Sequence, residues 1–209
     1  MSSRDFRIGV LGSGNGSNCE AILEACATGR IPGRVALVLS DVADAVILER
    51  ARKHRVEAQF IGPSQFKTKL EQELEDRAAR WLRDAGADLI ALAGYMRVLK
   101  LPILRTFAGR IINVHPSLLP AFPGLCAWEQ ALKHGVKVTG CTVHFVDEGV
   151  DSGPIILQQP VPVLPNDTPT SLHQRIQVAE HNVYPQAIRL FAEGKLKVDG
   201  RVVRLLDLD

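Results

Sequence analysis

Asn113 and His115 stand two residues apart at the end of an apolar run, in Ile111-Ile112-Asn113-Val114-His115-Pro116. In extended chain that spacing turns both side chains to one face of a strand. An amide can donate to an oxyanion, and an imidazole can move a proton near neutral pH. Pro116 cannot donate to a ladder and biases the residue before it away from helix, so the strand is expected to end at His115. Taken alone, the pair also suits a satisfied polar strand end.

Two other stretches could carry chemistry. The loop Gly12-Ser13-Gly14-Asn15-Gly16-Ser17-Asn18 follows an apolar run and opens a helix. Backbone N–H groups over 14–18 can point at a phosphate there, favoured by the helix dipole. Its Gly-x-Gly-x-Gly spacing differs from the dinucleotide pattern G-x-G-x-x-G. Asp41 could imitate the ribose-binding acid of a dinucleotide fold, but capping the helix that follows is the preferred reading. Asp151 lies in Asp151-Ser152-Gly153-Pro154. It reads either as a turn aspartate or as a partner that holds the His115 imidazole. Ser117 lacks the G-x-S-x-G elbow of a serine nucleophile. His54, His134, His144, His173 and His181 lack a comparable setting and read as structural or surface groups.

The elements that must position these residues follow from hydrophobic periodicity. Strands are expected over 6–11, 35–40, 58–61, 88–93 and 111–115. Helices are expected over 19–26, 43–54, 65–85 and 102–107, the third with Phe66, Leu70, Leu74, Ala78 and Leu82 on its apolar side. The basic turn Arg50, Arg52, Lys53, His54 is assigned to the helix dipole. Alternating strands and helices predict an α/β fold: a Rossmann-like, open, mainly parallel twisted sheet with helices on both faces. Ligands in such sheets sit beyond the carboxyl ends of the strands, where the glycine loop, 96–99 and Asn113/His115 all fall. The second half holds strands over 139–146 and 155–163, the latter closed by Pro160, Pro162 and Pro165. A long helix over 170–193 and a hairpin turning at Asp199-Gly200 complete it. One domain, 1–209, is expected, with halves of about 1–108 and 109–209.

Bulk properties narrow the function classes. The 209 residues carry 46% hydrophobic and 23% charged side chains and a net charge of +2, which suits a folded globular chain. That balance makes no general case for nucleic acid or membrane. No signal-peptide core or bilayer-length apolar run appears, so a cytoplasmic chain is expected. Cys19, Cys26, Cys126 and Cys141 have no metal-ligand spacing, and reduced thiols without a metal are the simplest reading.

Four segments together resemble the phosphoribosylglycinamide formyltransferase family. They are Gly14-Asn15-Gly16-Ser17-Asn18, Ala93-Gly94-Tyr95-Met96-Arg97, Asn113-Val114-His115-Pro116-Ser117-Leu118-Leu119-Pro120 and Asp151-Ser152-Gly153-Pro154-Ile155-Ile156. Gln177-Val178-Ala179-Glu180-His181 extends the resemblance nearly to the end. It implies a formyltransferase-type fold and formyl transfer from 10-formyltetrahydrofolate to the amine of glycinamide ribonucleotide, in purine biosynthesis. By that resemblance Asn113, His115 and Asp151 are catalytic. Gly16, Ser17, Asn18, Gln177 and Glu180 would contact the ribonucleotide. Asn113 and Asp151, with Met96, Arg97, Val98, Leu99 and Asp147, would face the folate, and Lys67 would reach its acidic tail. The resemblance implies small-molecule partners without nucleic acid or membrane, and a homodimer is compatible with it. Cys126 departs from the family, which usually has histidine there.

Formyltetrahydrofolate deformylase and methionyl-tRNA formyltransferase resemble the same core. The first usually adds an N-terminal regulatory domain, and here the first strand is expected at about Phe6. The second adds a C-terminal RNA-binding domain, and here the chain ends at Asp209. A nucleotide-binding module without catalysis would explain the glycine loop but not Asn113, His115 and Asp151 together. The ribonucleotide enzyme is therefore the expectation.

Overall fold

The computed structural model describes residues 5–206. The chain divides into two compact units after Ile112. In the first, strands β1 (Phe6–Leu11), β2 (Gly33–Ser40), β3 (Glu57–Phe60) and β4 (Leu89–Leu92) are ordered β3-β2-β1-β4. Every adjacent pair among them is parallel. Helices α1 (Ser17–Ala27), α2 (Val46–Lys53), α3 (Gln72–Asp84) and α4 (Leu101–Thr106) alternate with the strands. β1, β2 and β4 are continuous apolar runs because helices cover them; Ile8, Val10, Leu39, Leu89 and Ile90 are fully or almost fully buried. This is the Rossmann-like α/β arrangement expected from the pattern.

β5 (Ile111–His115) carries the chain into the second unit. There β6 (Val138–Phe145) pairs antiparallel with β7 (Ile155–Pro162), and the hairpin β8 (Leu196–Asp199) and β9 (Val202–Leu205) joins β7 through Ile155 and Val202. Helix α5 (Ala127–His134), for which the sequence pattern gave no expectation, lies between β5 and β6, and α6 (Pro169–Ala192) follows β7.

Three expectations change. The third helix begins at Gln72 and not at Gln65; 64–70 is a series of bends, and Phe66 is exposed. Apolar spacing marked that segment as helix, but its backbone groups are engaged by an arginine from elsewhere, described below. Pro160 and Pro162 lie inside β7 and do not close it. Past Ile155 that strand has hydrogen-bonded register only with β6, so its other edge needs no donor and tolerates proline. Asp41 does not cap α2, whose N-cap is Ala45 without a side-chain bond.

Candidate active site

β5 ends at His115, and Asn113 and His115 leave it on one face as their spacing requires. His115 is 4% exposed. Its Nε2 lies 2.8 Å from the carbonyl oxygen of Phe122, and its Nδ1 lies 3.3 Å from Asp151 Oδ2. Both ring nitrogens therefore meet oxygen acceptors, an arrangement that a ring carrying both protons satisfies. Asp151 also accepts from the Gly124 N–H at 2.8 Å through the same oxygen. Its other oxygen, Oδ1, is 3.7 Å from His144 Nε2.

His144 is the member of this cluster that sequence reasoning missed. It is 2% exposed on β6, at an irregularity in the register between Val143 and His144. The extra residue there is Ile156 of β7, and β6 itself runs unbroken, so His144 is placed by the pairing of separate strands, which leaves no mark in a single sequence. His144 Nε2 lies 3.3 Å from Asn113 Nδ2, and its Nδ1 is 2.8 Å from the Phe145 carbonyl. Burial depresses the His144 imidazole below its ordinary value and outweighs the nearby carboxylates of Asp151 and Asp147.

The loop after β6 is shaped to present Asp151. Asp151 adopts φ +51°, a left-handed conformation that costs a non-glycine residue about 1–2 kcal/mol. Gly153 permits the turn, because a Cβ there would collide with the Phe145 carbonyl oxygen. Asp147 organises the same loop, accepting from Gly149 N at 3.0 Å and Ser152 Oγ at 2.8 Å. Ser117 is fully buried and donates to the Ala121 carbonyl at 2.5 Å, so it shapes the loop after β5. The Thr142 hydroxyl ties down that loop as well, donating to Ser117 O at 2.7 Å and accepting from Leu119 N at 3.0 Å.

In the first unit, Gly16, Ser17 and Asn18 lie together where α1 begins. Gly16 is the N-cap at φ +73°, and no side chain caps the helix. A Cβ at Gly16 would sit 2.6 Å from Ile47 Cγ1, so α2 requires glycine here. Arg50 braces this loop from α2, donating from Nε to Asn15 O at 2.8 Å and from Nη2 to Asn15 Oδ1 at 2.9 Å. Its Nη1 reaches Glu20 Oε2 at 3.1 Å, and Glu20 Oε1 is 2.6 Å from His54 Nε2. Two members of the basic turn thus hold the loop and α1 in place, beyond the dipole role expected of them.

The 93–100 segment follows β4. Met96 is exposed, Val98 half-buried and Leu99 buried. The Arg97 guanidinium is occupied by protein: Nε pairs with Asp41 Oδ2 at 2.5 Å, and Nη1 donates to Lys69 O at 2.9 Å and to the Phe66 carbonyl. Asp41 Oδ1 accepts from Ser13 Oγ at 2.6 Å, and Ser13 Oγ accepts from Met96 N at 2.9 Å. Asp41 therefore links the glycine loop to the segment after β4, which explains why it caps no helix. Lys67 is exposed in the bends of 64–70.

On α6, Gln177 is half-buried and Glu180 is 5% exposed, three residues apart and so neighbours on the helix surface. Thr168 and Ser171 form a capping box at the N-terminus of α6. Cys126 is exposed, at φ +53°, and is the N-cap of α5. Among the described residues no group of three or more His, Cys, Asp or Glu side chains could hold a metal ion.

Residues 6–188 match the formyl transferase family. Phosphoribosylglycinamide formyltransferase of Escherichia coli strain K12 is 44% identical over 194 residues, covering 92% of this chain and 90% of its own length. The trifunctional purine biosynthetic protein adenosine-3 of Drosophila pseudoobscura is 44% identical over 199 residues, or 94% of this chain. The chain spans only 14% of that trifunctional protein's length. Among solved structures, glycinamide ribonucleotide transformylase 1 from Symbiobacterium toebii is 56% identical with a TM-score of 0.94, covering 99% of this chain and 96% of that one. Shared family sequence across both units, with the fold preserved over almost the whole length, shows that this chain belongs to the phosphoribosylglycinamide formyltransferase family.

Proposed function

We propose that the chain transfers the formyl group of 10-formyltetrahydrofolate to the amine of N1-(5-phospho-D-ribosyl)glycinamide, giving N2-formyl glycinamide ribonucleotide and tetrahydrofolate. The observation that carries this reading is the convergence of Asn113, His115 and Asp151, with His144 between Asn113 and Asp151, in one cluster in a chain of this family. The amine attacks the formyl carbon, and the carbonyl oxygen becomes a tetrahedral oxyanion. Asn113 donates an amide hydrogen to that oxygen, a contact of a kind worth about 3 kcal/mol. His115 exchanges one of its two acceptors for substrate and relays the proton from the attacking amine to the departing folate nitrogen. Asp151 orients the ring and balances its positive charge. No redox change occurs: the new C–N bond forms first, the oxyanion then collapses and breaks the old C–N bond, and one proton moves from the amine to the folate nitrogen.

Family resemblance supports Gly16, Ser17, Asn18, Gln177 and Glu180 as ribonucleotide contacts. It equally supports Met96, Val98 and Leu99 as folate contacts, with Lys67 toward the glutamate tail. Arg97 and Asp147 would act on folate through the backbone they position, since their side chains bind protein. The family match spans both units, which supports reading 1–209 as one formyltransferase domain. We further read the chain as a cytoplasmic enzyme, and as one that works without a metal. No helix among the described residues is long and apolar enough to cross a membrane.

The test is to incubate the protein with 10-formyltetrahydrofolate, with and without the ribonucleotide, and to follow tetrahydrofolate release. Release that depends on ribonucleotide is expected. Release without it would make the chain a deformylase and overturn the reading.

A further inference from the structure

The formyl-transfer scheme leaves His144 without a role, yet its proton can be placed from geometry. A carbonyl oxygen only accepts, so the 2.8 Å contact with Phe145 O puts a hydrogen on His144 Nδ1. The ring is 2% exposed, and burial disfavours a second proton. The charged or titratable groups facing it are Asp151, 3.7 Å from Nε2, together with His115 and Asp147. Nε2 is then bare, and a bare nitrogen accepts. Its neighbour at 3.3 Å is Asn113 Nδ2, a donor with two hydrogens. A flipped amide would bring Asn113 Oδ1 against the same lone pair, which repels it.

We propose that His144 is a positioning residue: as the neutral Nδ1–H tautomer it takes one amide hydrogen of Asn113 and so leaves the other aimed at the formyl oxygen. The assignment rests on the formyl-transfer reading above. It accounts for the 3.3 Å approach of a buried imidazole to the Asn113 amide. It also gives the cluster two histidines with opposite duties. His115, with acceptors at both nitrogens, carries protons, and His144, with an acceptor at one and a donor at the other, carries none. Protonation of His144 at Nε2 would turn that nitrogen toward Asp151 Oδ1 and set N–H against the Asn113 amine hydrogens. The amide would then lose its orientation, and turnover would fall on the acid side.

Two variants and one spectrum test this. His144→Leu removes the acceptor, whereas His144→Gln places an amide oxygen near the position of Nε2 and cannot be protonated. His144→Leu is expected to lower kcat by about 10²-fold with both KM values within about twofold, the loss typical of a misdirected oxyanion donor. His144→Gln should recover most of that loss and flatten the acid limb of the kcat–pH profile. In an Asn113→Ala background, His144→Leu should cost less than about twofold, because the group it positions is gone. A full additional loss in that background would show a merely structural role and overturn the proposal, as would His144→Gln as slow as His144→Leu. In ¹⁵N NMR of the wild-type protein at pH 7.5, a bare Nε2 and protonated Nδ1 are expected for His144, and the reverse tautomer overturns the assignment whatever the kinetics. A wild-type protein without formyl transfer would instead fail the functional reading, and the spectrum would still decide the tautomer.

Discussion

In the proposed mechanism His115 and Asp151 act through a contact whose parts are not interchangeable. Asp151 Oδ2 serves both His115 Nδ1 at 3.3 Å and the Gly124 N–H at 2.8 Å, so one oxygen holds the ring and anchors a loop. Asp151→Asn keeps the shape but removes the charge that balances a protonated ring. His115→Ala removes the proposed relay itself. Each is expected to lower kcat by roughly 10²–10⁴-fold, the range of general acid–base contributions. Ribonucleotide affinity, read by calorimetry, should stay within about threefold of wild type. Near-normal turnover in either variant would refute the assigned roles. The thiols of Cys19 and Cys141 are pushed up to about 12 by burial, which keeps them protonated and out of this chemistry.

Among the elements, α2 shows how one helix braces the loop that opens another. Ile47 packs so closely on Gly16 that no side chain fits there, and Arg50 donates twice to Asn15. Arg50→Ala should loosen the glycine loop while leaving the Asn113, His115 and Asp151 cluster intact. Of the three guanidinium hydrogen bonds lost, the two to the loop amount to about 1.5 kcal/mol, roughly a tenfold rise in the ribonucleotide KM. We expect kcat to stay within about twofold. Steady-state kinetics with ribonucleotide varied at saturating folate would read this, and an unchanged KM would show the brace to be idle. Arg97 does the same for the segment after β4, joining it to Asp41 and to the bends of 64–70. Both arginines are paired with protein groups, so neither counts as free positive charge for a ligand.

For the molecule as a whole, a pH-dependent influence on stability sits away from this chemistry, at Glu75 of α3. Its carboxyl is 1% exposed and accepts from the Lys100 N–H at 3.1 Å, where α4 begins. Burial pushes its pKa up to about 7 from an ordinary 4.5. The folded protein therefore keeps this proton to higher pH than the unfolded chain. The group's stability contribution is fully present below pH 4.5 and is lost as pH rises through about 7. Glu75→Gln should remove that dependence, leaving stability nearly unchanged at pH 4.5 and raising it at pH 8 by on the order of 3 kcal/mol. Urea unfolding at the two pH values checks this, and a variant less stable at pH 8 would contradict it.

Sequence by itself determined the parts that depend on local period and residue type. The apolar runs and their alternation with helices specified a Rossmann-like α/β chain, and the Asn113–His115 spacing specified two side chains on one face of a strand that ends before Pro116. Family motifs added Asp151, which the structure brings to His115. Tertiary structure alone decided what depends on contacts across long stretches of chain. Arg97 and Asp41 meet from different segments and consume each other's charge, so neither a helix cap nor a ligand-facing guanidinium survives. The bends of 64–70 yield their carbonyls to the same arginine, overriding an apolar spacing that suited a helix. His144 meets Asn113 from a strand 31 residues further along the chain. Such a contact depends on which strands the folded sheet sets side by side, and no property of the histidine itself encodes that choice.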